Sequence, residues 1–404
     1  MSCLKKGVLS SHKTLRIRAK KSSTSLLLPL WWQEAASMAN TNLKEAKAAK
    51  NDEFYTQFHD IETEMMAYLD FDPDVFRDKT VLLPCDDPEW SNFTRFFVAK
   101  FEDLGLKKLI STSFAQESKN YKTDWQPTLF ETQSPIFSAE KSAVCGKIFT
   151  LTRDMKKNGP IRIDDLQWEY LEGTGDFRSP EVTALRDEAD IIVTNPPFSL
   201  FREFLAWIME AEKKFAIIGN KNCITYKEVF PLIKENKIWA GKTPMSIDLC
   251  FEIPQFMEEE LLKSGKEGSK YRIIDGKLLA RSSSIWLTNL EHGRRHEPLR
   301  LMTMADNLRF NRKMQGKEAY DHYDNYDAIE VPYTDAIPSD YDGVMGVPIS
   351  FLDKYCPEQF EILNANDFIL ENRAPVKKHG LIKDKDSTIN GQPRYARILI
   401  RHAR

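Results

Sequence analysis

The chain lacks paired cysteines, long apolar runs and a charge of one sign, and each absence excludes something. Its six cysteines, Cys3, Cys85, Cys145, Cys223, Cys250 and Cys356, stand singly without one C-x-x-C. Neither a zinc ribbon nor a disulfide framework is indicated, and a reducing, cytoplasmic setting is expected. The longest apolar run near the start, Leu26 to Trp32, is broken by Pro29 and falls far short of the ~20 residues a spanning helix needs, so no membrane role is expected. Fifty-seven Lys and Arg against 60 Asp and Glu leave a net charge of −3 over 404 residues. A polyanionic partner must therefore be held by local basic patches, not by a global field. With 17 Gly and 20 Pro there is no collagen-like or disordered bias. The 42% of apolar and 11% of aromatic residues suffice for a core, and the length fits two or three domains or one large α/β domain with insertions.

Residues 1–33 contain seven Lys or Arg and no acid, a superficial match to a transit peptide. The expectation is that Met38 is the initiator and that 1–37 is a disordered or mis-assigned leader. Beyond it, Ala39 to Asp70 suits helix, with the aromatics of Asn51–Gln57 set between two helical stretches. Thr80 to Cys85 predicts a buried strand. Ser91 then caps a helix expected to run to Leu104, ended by Gly105 in a left-handed conformation, and Lys107 to Phe114 predicts a second strand. That is the strand–helix–strand order of a parallel sheet. Residues 115–140 predict a long loop, Ala143 to Thr152 and Gln167 to Leu171 strands, Pro180 to Asp187 a helix, and Asp190 to Thr194 a strand buried on both faces. Ser199 is expected to cap a helix from Leu200 to Lys213, followed by a strand over Lys214 to Gly219. The alternation predicts an α/β sheet with its ligand crevice at the strand C-termini. It fades after Trp239, where Ser282 to Asn289 is the best strand. The expected division is a catalytic domain over 38–238 and a mixed α+β target-recognition region with a basic tail over 239–404.

The most informative tetrapeptide is Asn195-Pro196-Pro197-Phe198, straight after the buried strand. Two prolines fix the backbone and remove two N–H donors, which leaves the Pro196 carbonyl to accept in a preset direction. The Asn195 side chain offers a second acceptor. Two acceptors converging on an exocyclic amine hold both hydrogens and push the nitrogen lone pair out of conjugation, making it nucleophilic. Phe198 offers a flat face on which an extruded base can stack, and a base inside a duplex reaches such a loop only by flipping.

Several segments resemble the EcoRI-type adenine-N6 DNA methyltransferases: Asp52-Glu-Phe-Tyr-Thr56, Cys85-Asp-Asp-Pro88 with Ser91-Asn-Phe93, Gly175-Asp-Phe-Arg178, Asn195 to Arg202, Asp324 to Pro332, and Gly343 to Pro348. The likeness spans roughly residues 45 to 401. It implies a Rossmann-like S-adenosylmethionine-dependent methyltransferase sheet, S-adenosylmethionine as methyl donor, no metal, and adenine in double-stranded DNA as acceptor. It also implies protection of that DNA from a restriction endonuclease, a functional relation that requires no binding between the two proteins. Carried over, Asn195 and the Pro196 carbonyl grip the N6 amine, Phe198 stacks on the adenine, and Phe54, Tyr55 and Thr56 close over the methionine part of the donor. Asp176, with Phe177 beside it, accepts from the donor's adenine N6. Cys85 to Pro88 stands where methyltransferases at large carry a glycine-rich turn, so Asp86 or Asp87 is expected to meet the donor's ammonium or ribose. A second expected acid is missing, since Ser111 and Thr112 stand at the end of that strand.

His292 and His296 lie four apart, but Gly293 between them and the lack of a third ligand favour a surface loop over a metal site. Arg294 and Arg295 read better as phosphate contacts, because guanidinium suits phosphate bidentately. Residues 281–317 carry eight Lys or Arg against three acids, and the tail from Glu371 nine against three. In the tail Lys377, Lys378, Arg394, Arg397 and Arg401 are candidates for tracking a backbone, while Arg394 to Ile400 also reads as an edge strand. On the residues alone, methylation of guanine N2 in RNA or of a protein glutamine, and a non-catalytic nucleic-acid-binding relative, stay open.

Overall fold

Short strands, the central ones apolar runs, assemble into one mixed sheet of eight strands. The strands are β1 (Thr80–Leu83), β2 (Lys108–Ser113), β3 (Lys147–Thr152), β4 (Gln167–Tyr170), β5 (Ile191–Thr194), β6 (Lys214–Asn220), β7 (Trp239–Ala240) and β8 (Ser284–Thr288), in the order β4-β3-β2-β1-β5-β6-β8-β7. This computed structural model describes residues 55–86, 91–115, 132, 134–155, 161, 166–253, 255–370 and 380–403. The leader, Phe54, Asp87, Lys377, Lys378 and most of the expected 115–140 loop lie outside them. Residues Lys50–Arg404 form one compact unit.

The four central strands β2, β1, β5 and β6 are parallel, and the outer pairs on either side run antiparallel. Every residue of β1 and β5 is buried, which is why both read as unbroken apolar runs. From β1 the chain moves to β2 on one side, and β5 lies on the other. The strand order thus reverses between β1 and β5, the place where open α/β sheets bind ligands at the strand C-termini. Helix α1 (Phe58–Phe71) and α2 (Asn92–Ala99) pack on one face through Ile61, Met65, Tyr68, Phe93, Phe96 and Phe97. Helices α3 (Pro180–Glu188) and α4 (Phe201–Glu210) cover the other through Val182, Phe204, Leu205 and Ile208.

Local expectations met tertiary packing with mixed results. Ser91 caps α2 as expected, accepting from Phe93 N, and Ser179 at the end of the turn before α3 caps that helix by accepting from Val182 N. Helix α2 ends at Ala99, before Leu104, although Gly105 does take the left-handed conformation with φ +63°. The segment starting at Ala143 is not strand from its beginning: Ala139–Val144 is helical, capped by Ser138, and β3 starts at Lys147. Ser199 does not cap α4, because Phe198–Leu200 forms a 3-10 turn and the Leu200 N–H goes back to the Pro197 carbonyl at 3.0 Å. The main sheet also runs across the 238/239 boundary, since β7 and β8 complete its edge.

Two four-stranded sheets and a two-stranded one, Thr388–Ile389 with Gln392–Pro393, accompany it. In one four-stranded sheet, Tyr55–Thr56, Leu249–Glu252, Lys277–Ser282 and Tyr271–Ile274 lie side by side, all antiparallel. In the other, Arg397–His402 sits between Met345–Pro348 and Phe360–Ile362. The tail strand is therefore internal, not an edge, because Ile398, Leu399 and Ile400 are all buried.

Candidate active site

The turn after β1 and the loop after β5 meet across the point where the strand order reverses. Asp86, 6% exposed, joins them. Its Oδ2 accepts from Thr194 Oγ1 at 2.5 Å, at the last residue of β5, and its Oδ1 accepts from Ser91 Oγ at 2.7 Å, at the cap of α2. Its backbone carbonyl accepts from Ser111 Oγ, and Thr112 Oγ1 donates to the Pro84 carbonyl at 2.9 Å. Ser111 in turn meets Thr94 Oγ1 at 3.1 Å. A turn without glycines is thus held from beneath by buried hydroxyls. Ser111 and Thr112, which occupy the expected second acid's place, have this supporting task. Cys85 is enclosed beside Asp86, and burial together with that carboxylate pushes its thiol pKa well up, so it stays neutral.

Asn195 follows directly on Thr194 and is partly buried; Pro196 is buried, and Pro197 and Phe198 are partly exposed. The Pro197 carbonyl is used by the 3-10 turn, whereas among the described residues no donor meets the Pro196 carbonyl. Phe198 packs one side against the core on the α2 face. Tyr55 and Thr56 form a short strand against Phe251 and Glu252, and Asn92 Nδ2 donates to the Thr56 carbonyl at 2.8 Å, tying that strand to the first turn of α2. Thr56 Oγ1 is buried with no partner among the described residues. An unbroken series of contacts therefore runs from Thr56 through Asn92, Ser91, Asp86 and Thr194 to Asn195.

The turn carrying Asp176 approaches the end of β2 closely. A Cβ on Gly175 would collide with the Ser113 carbonyl, and φ +84° there also demands glycine. Asp176 is held bidentately by Arg178, with Nε at 2.9 Å and Nη2 at 2.6 Å, and Arg178 also reaches Glu203 at 2.9 Å. The Arg178 side chain keeps the Asp176 carboxyl below the usual carboxylate range. Phe177 points into the core, with edge-on contacts to Phe204 at 5.0 Å and Trp207 at 5.6 Å between ring centroids.

The remaining candidates lie elsewhere. His292–His296 leaves β8 at the end where the parallel strands begin and packs on the outermost strand β7, three strands from β5. Arg295 is 7% exposed, with its guanidinium 3.9 Å above the Trp239 ring, 3.2 Å from Glu291 and bonded to Asn236 at 3.1 Å. The phosphate expectation fails for it on burial. Arg294 donates to the Lys242 carbonyl at 2.5 Å. His292 is buried, not part of a surface loop, and Nε2 donates to the Ala240 carbonyl at 3.0 Å while Nδ1 meets no donor among the described residues. Burial lowers its pKa to about 4. His296 lies between Glu291 and Glu358 at 3.1 and 2.8 Å. In the tail, Arg397 is buried against Glu330 at 2.5 Å and Arg401 pairs with Glu361 at 2.7 Å, so both cations are neutralised within the fold.

Sequence reasoning misses the hydroxyl set Ser91, Thr94, Ser111, Thr112 and Thr194 as part of the site, although the polar run Ser111-Thr112-Ser113 closing an apolar strand is an available signal. Among the described residues no group of three His, Cys, Asp or Glu is placed to hold a metal ion, and no helix is long and apolar enough to cross a membrane.

Residues 42–403 match the family described as "Adenine-specific methyltransferase EcoRI". "Type II methyltransferase M.EcoRI" of Escherichia coli is 40% identical over 371 residues, 92% of this chain and 99% of the relative. "Type II methyltransferase M.MpnI" of Mycoplasma pneumoniae is 34% identical over 365 residues, 88% of this chain and 96% of the relative. "Type II methyltransferase M.MgeORF184P" of Mycoplasma genitalium is 32% identical over 367 residues, 89% and 98%. No solved structure matches. With the family matched across nearly the whole chain and the Asn-Pro-Pro-Phe loop at the C-terminal end of the parallel strands, the chain belongs to the EcoRI family of adenine-specific methyltransferases.

Proposed function

We propose that the chain methylates N6 of an adenine within a specific sequence of double-stranded DNA, with S-adenosylmethionine as donor, on a Rossmann-like sheet, and that the modification shields the DNA from a restriction endonuclease. The observation that carries this reading is the Asp86 bridge, which ties the turn after β1 to the Asn195 loop where the strand order reverses. The donor supplies an electrophilic methyl group on a sulfonium. Thr56 Oγ1, buried and lacking a partner among the described residues, fits a polar group of such a ligand, and Tyr55 and Thr56, with Phe54 before them, would cover its methionine part. Asp176 stands beside the same turn, where its carboxylate can take the donor's adenine N6 while Arg178 keeps it ionised.

Asp86 itself is better placed to position than to bind, since it is buried and both its oxygens accept from buried hydroxyls, whereas Asp176, though held by Arg178, keeps a quarter of its side chain exposed. Asn195 Oδ1 and the Pro196 carbonyl then accept the two N6 hydrogens of the target, leaving the nitrogen lone pair directed at the methyl group. Phe198 stacks on the flipped base, an interaction of about 1–3 kcal/mol. Sequence reading falls to residues 239–404 outside β7 and β8. Tritiated methyl transfer from labelled S-adenosylmethionine into unmethylated duplex DNA, RNA and total protein tests the reading. Label in DNA, recovered as N6-methyladenine, is expected; label confined to RNA or protein overturns it.

A further inference from the structure

Topology separates the basic segments that could grip the duplex. The hairpin of Tyr271–Ile274 and Lys277–Ser282 runs into β8 through Ser283, and Ser284 pairs with Asn220 at the finishing end of β6. It therefore leaves the sheet at the same end as the Asn195 loop, one strand removed. Its base is clamped there: Asp248 bonds Lys221 at 2.5 Å and Arg281 at 2.7 Å, and Lys221 N donates to the Ser283 carbonyl at 2.9 Å. On its far side its sheet reaches Tyr55–Thr56, so hairpin and proposed donor-binding strand share one small sheet.

The outer half of the hairpin is built unlike an ordinary sheet edge. Asp275 and Gly276, with φ +50° and +76°, make the two-residue turn that matches the twist of a hairpin, and no atom comes within 4 Å of a Cβ placed on Gly276 or Gly268. Edge strands are normally blunted by charge or a bulge. Here Ile273 and Ile274 stand 53% and 41% exposed at the tip. Arg272 and Lys277 stand beside them on the two strands, and Lys270 and Lys266 lie toward the base, where the Lys270 carbonyl accepts from Arg281 N; all four are exposed and none is in an ion pair among the described residues, against Glu267 and Asp275 in the same segment. An apolar tip with unpaired cations along the ribbon behind it matches a groove between two rows of phosphates whose floor presents an apolar group at each thymine. A two-stranded ribbon fits the major groove, where the C5-methyl of thymine is the apolar group presented.

We infer that this hairpin is the duplex-docking ribbon and enters the groove tip first, with Lys270, Arg272 and Lys277 toward the phosphates and the turn, flanked by Ile273 on one face and Ile274 on the other, toward the base edges. The inference rests on the proposed DNA reading. It is tested by equilibrium binding of an unmethylated plasmid duplex over a range of salt, alongside tritiated methyl transfer, with the full chain as wild type, K270Q/R272Q/K277Q and I273S/I274S. Unchanged S-adenosylmethionine binding and melting temperature check that the variants fold. The triple variant is expected to bind DNA more weakly across all sequences and to flatten the salt dependence by up to about 2.7 log units per log of salt. The double variant is expected to keep the slope but lose roughly 10-fold or more in methyl transfer at low DNA concentration, about 1.4 kcal/mol of binding. Wild-type slope and wild-type transfer in both variants overturn the hairpin assignment, as does a change confined to self-association, which would make the edge a contact between copies of the chain. A wild-type chain that transfers no methyl to DNA overturns the underlying reading instead.

Discussion

Strand β8 has a basic segment at each of its ends. Before it comes the hairpin, whose tip residues Arg272, Ile273, Ile274 and Lys277 are all exposed. After it comes the turn Gly293–His296, where Arg295 is sandwiched on Trp239, His292 is buried and His296 is shared by two carboxylates. On sequence alone the arginine turn is the more obvious phosphate binder, with consecutive arginines flanked by histidines. In space it is the reverse, because an antiparallel strand delivers its two ends to opposite ends of the sheet. Guanidinium is weakly hydrated and stacks readily on aromatic faces, so a buried Arg over Trp is a packing element as much as a charge. Local charge density measures how much polyanion a segment could neutralise, and only topology says whether that segment faces the chemistry.

The largest effect that sharpens this contrast comes from the site end. Asn195→Ala is expected to lower the single-turnover rate of methyl transfer by about 10²–10³, as loss of one preorganised acceptor does, with S-adenosylmethionine binding retained. Near-normal turnover removes Asn195 from the chemistry. At the other end the expected signature is in stability. His292 has a folded pKa lowered to about 4 from 6.5 by burial, so the folded state resists protonation while the unfolded state accepts it. Its contribution is complete above about pH 6.5 and is lost as pH falls toward 4, an effect of up to about 3 kcal/mol. Thermal melting between pH 4 and 7, wild type against His292→Gln, reads it; identical pH dependence in the two proteins contradicts the buried neutral imidazole.

Phe198→Ala should weaken methyl transfer by about 1–3 kcal/mol, while Phe198→Tyr keeps a stacking face and most activity. An active Ala variant beside an inactive Tyr variant would be inconsistent with stacking. Arg295→Gln should cost about 1–3 kcal/mol of stability by leaving Glu291 and the Trp239 face without their partner, measured by urea unfolding, with DNA affinity and salt slope unchanged. The smallest effect is expected for Arg294→Gln, within about 0.5 kcal/mol in stability and with no change in DNA affinity. A flattened salt slope for either arginine variant would return the DNA face to this turn.

Much of the site was legible because its signals are local. Asn195-Pro-Pro-Phe198 behind an apolar strand needs no partner to be rigid, and the Ser91 cap follows from the residues that flank it. Helix α2 shows where local reading ends. Nothing between Ala99 and Gly105 announces that the helix stops early, and the last helical bond, from Lys100 N–H to the Phe96 carbonyl, is settled by packing. Ser199 shows the same, since two prolines impose a turn of their own before α4 can start.

By itself the sequence determined most of the strand and helix order of the parallel sheet, the rigid Asn-Pro-Pro-Phe loop straight after β5 and the balance of charge, because period, caps and proline act over a few residues. Only the tertiary structure decided that Asp86 commits its carboxylate to Thr194 and Ser91, that Arg295 and Arg397 are buried in pairs, and that the hairpin, not the arginine turn, leaves the sheet at the same end as the Asn195 loop. These depend on which ends of distant strands come together, and the burial of a charge beside its partner is set by neighbours up to 108 residues away along the chain.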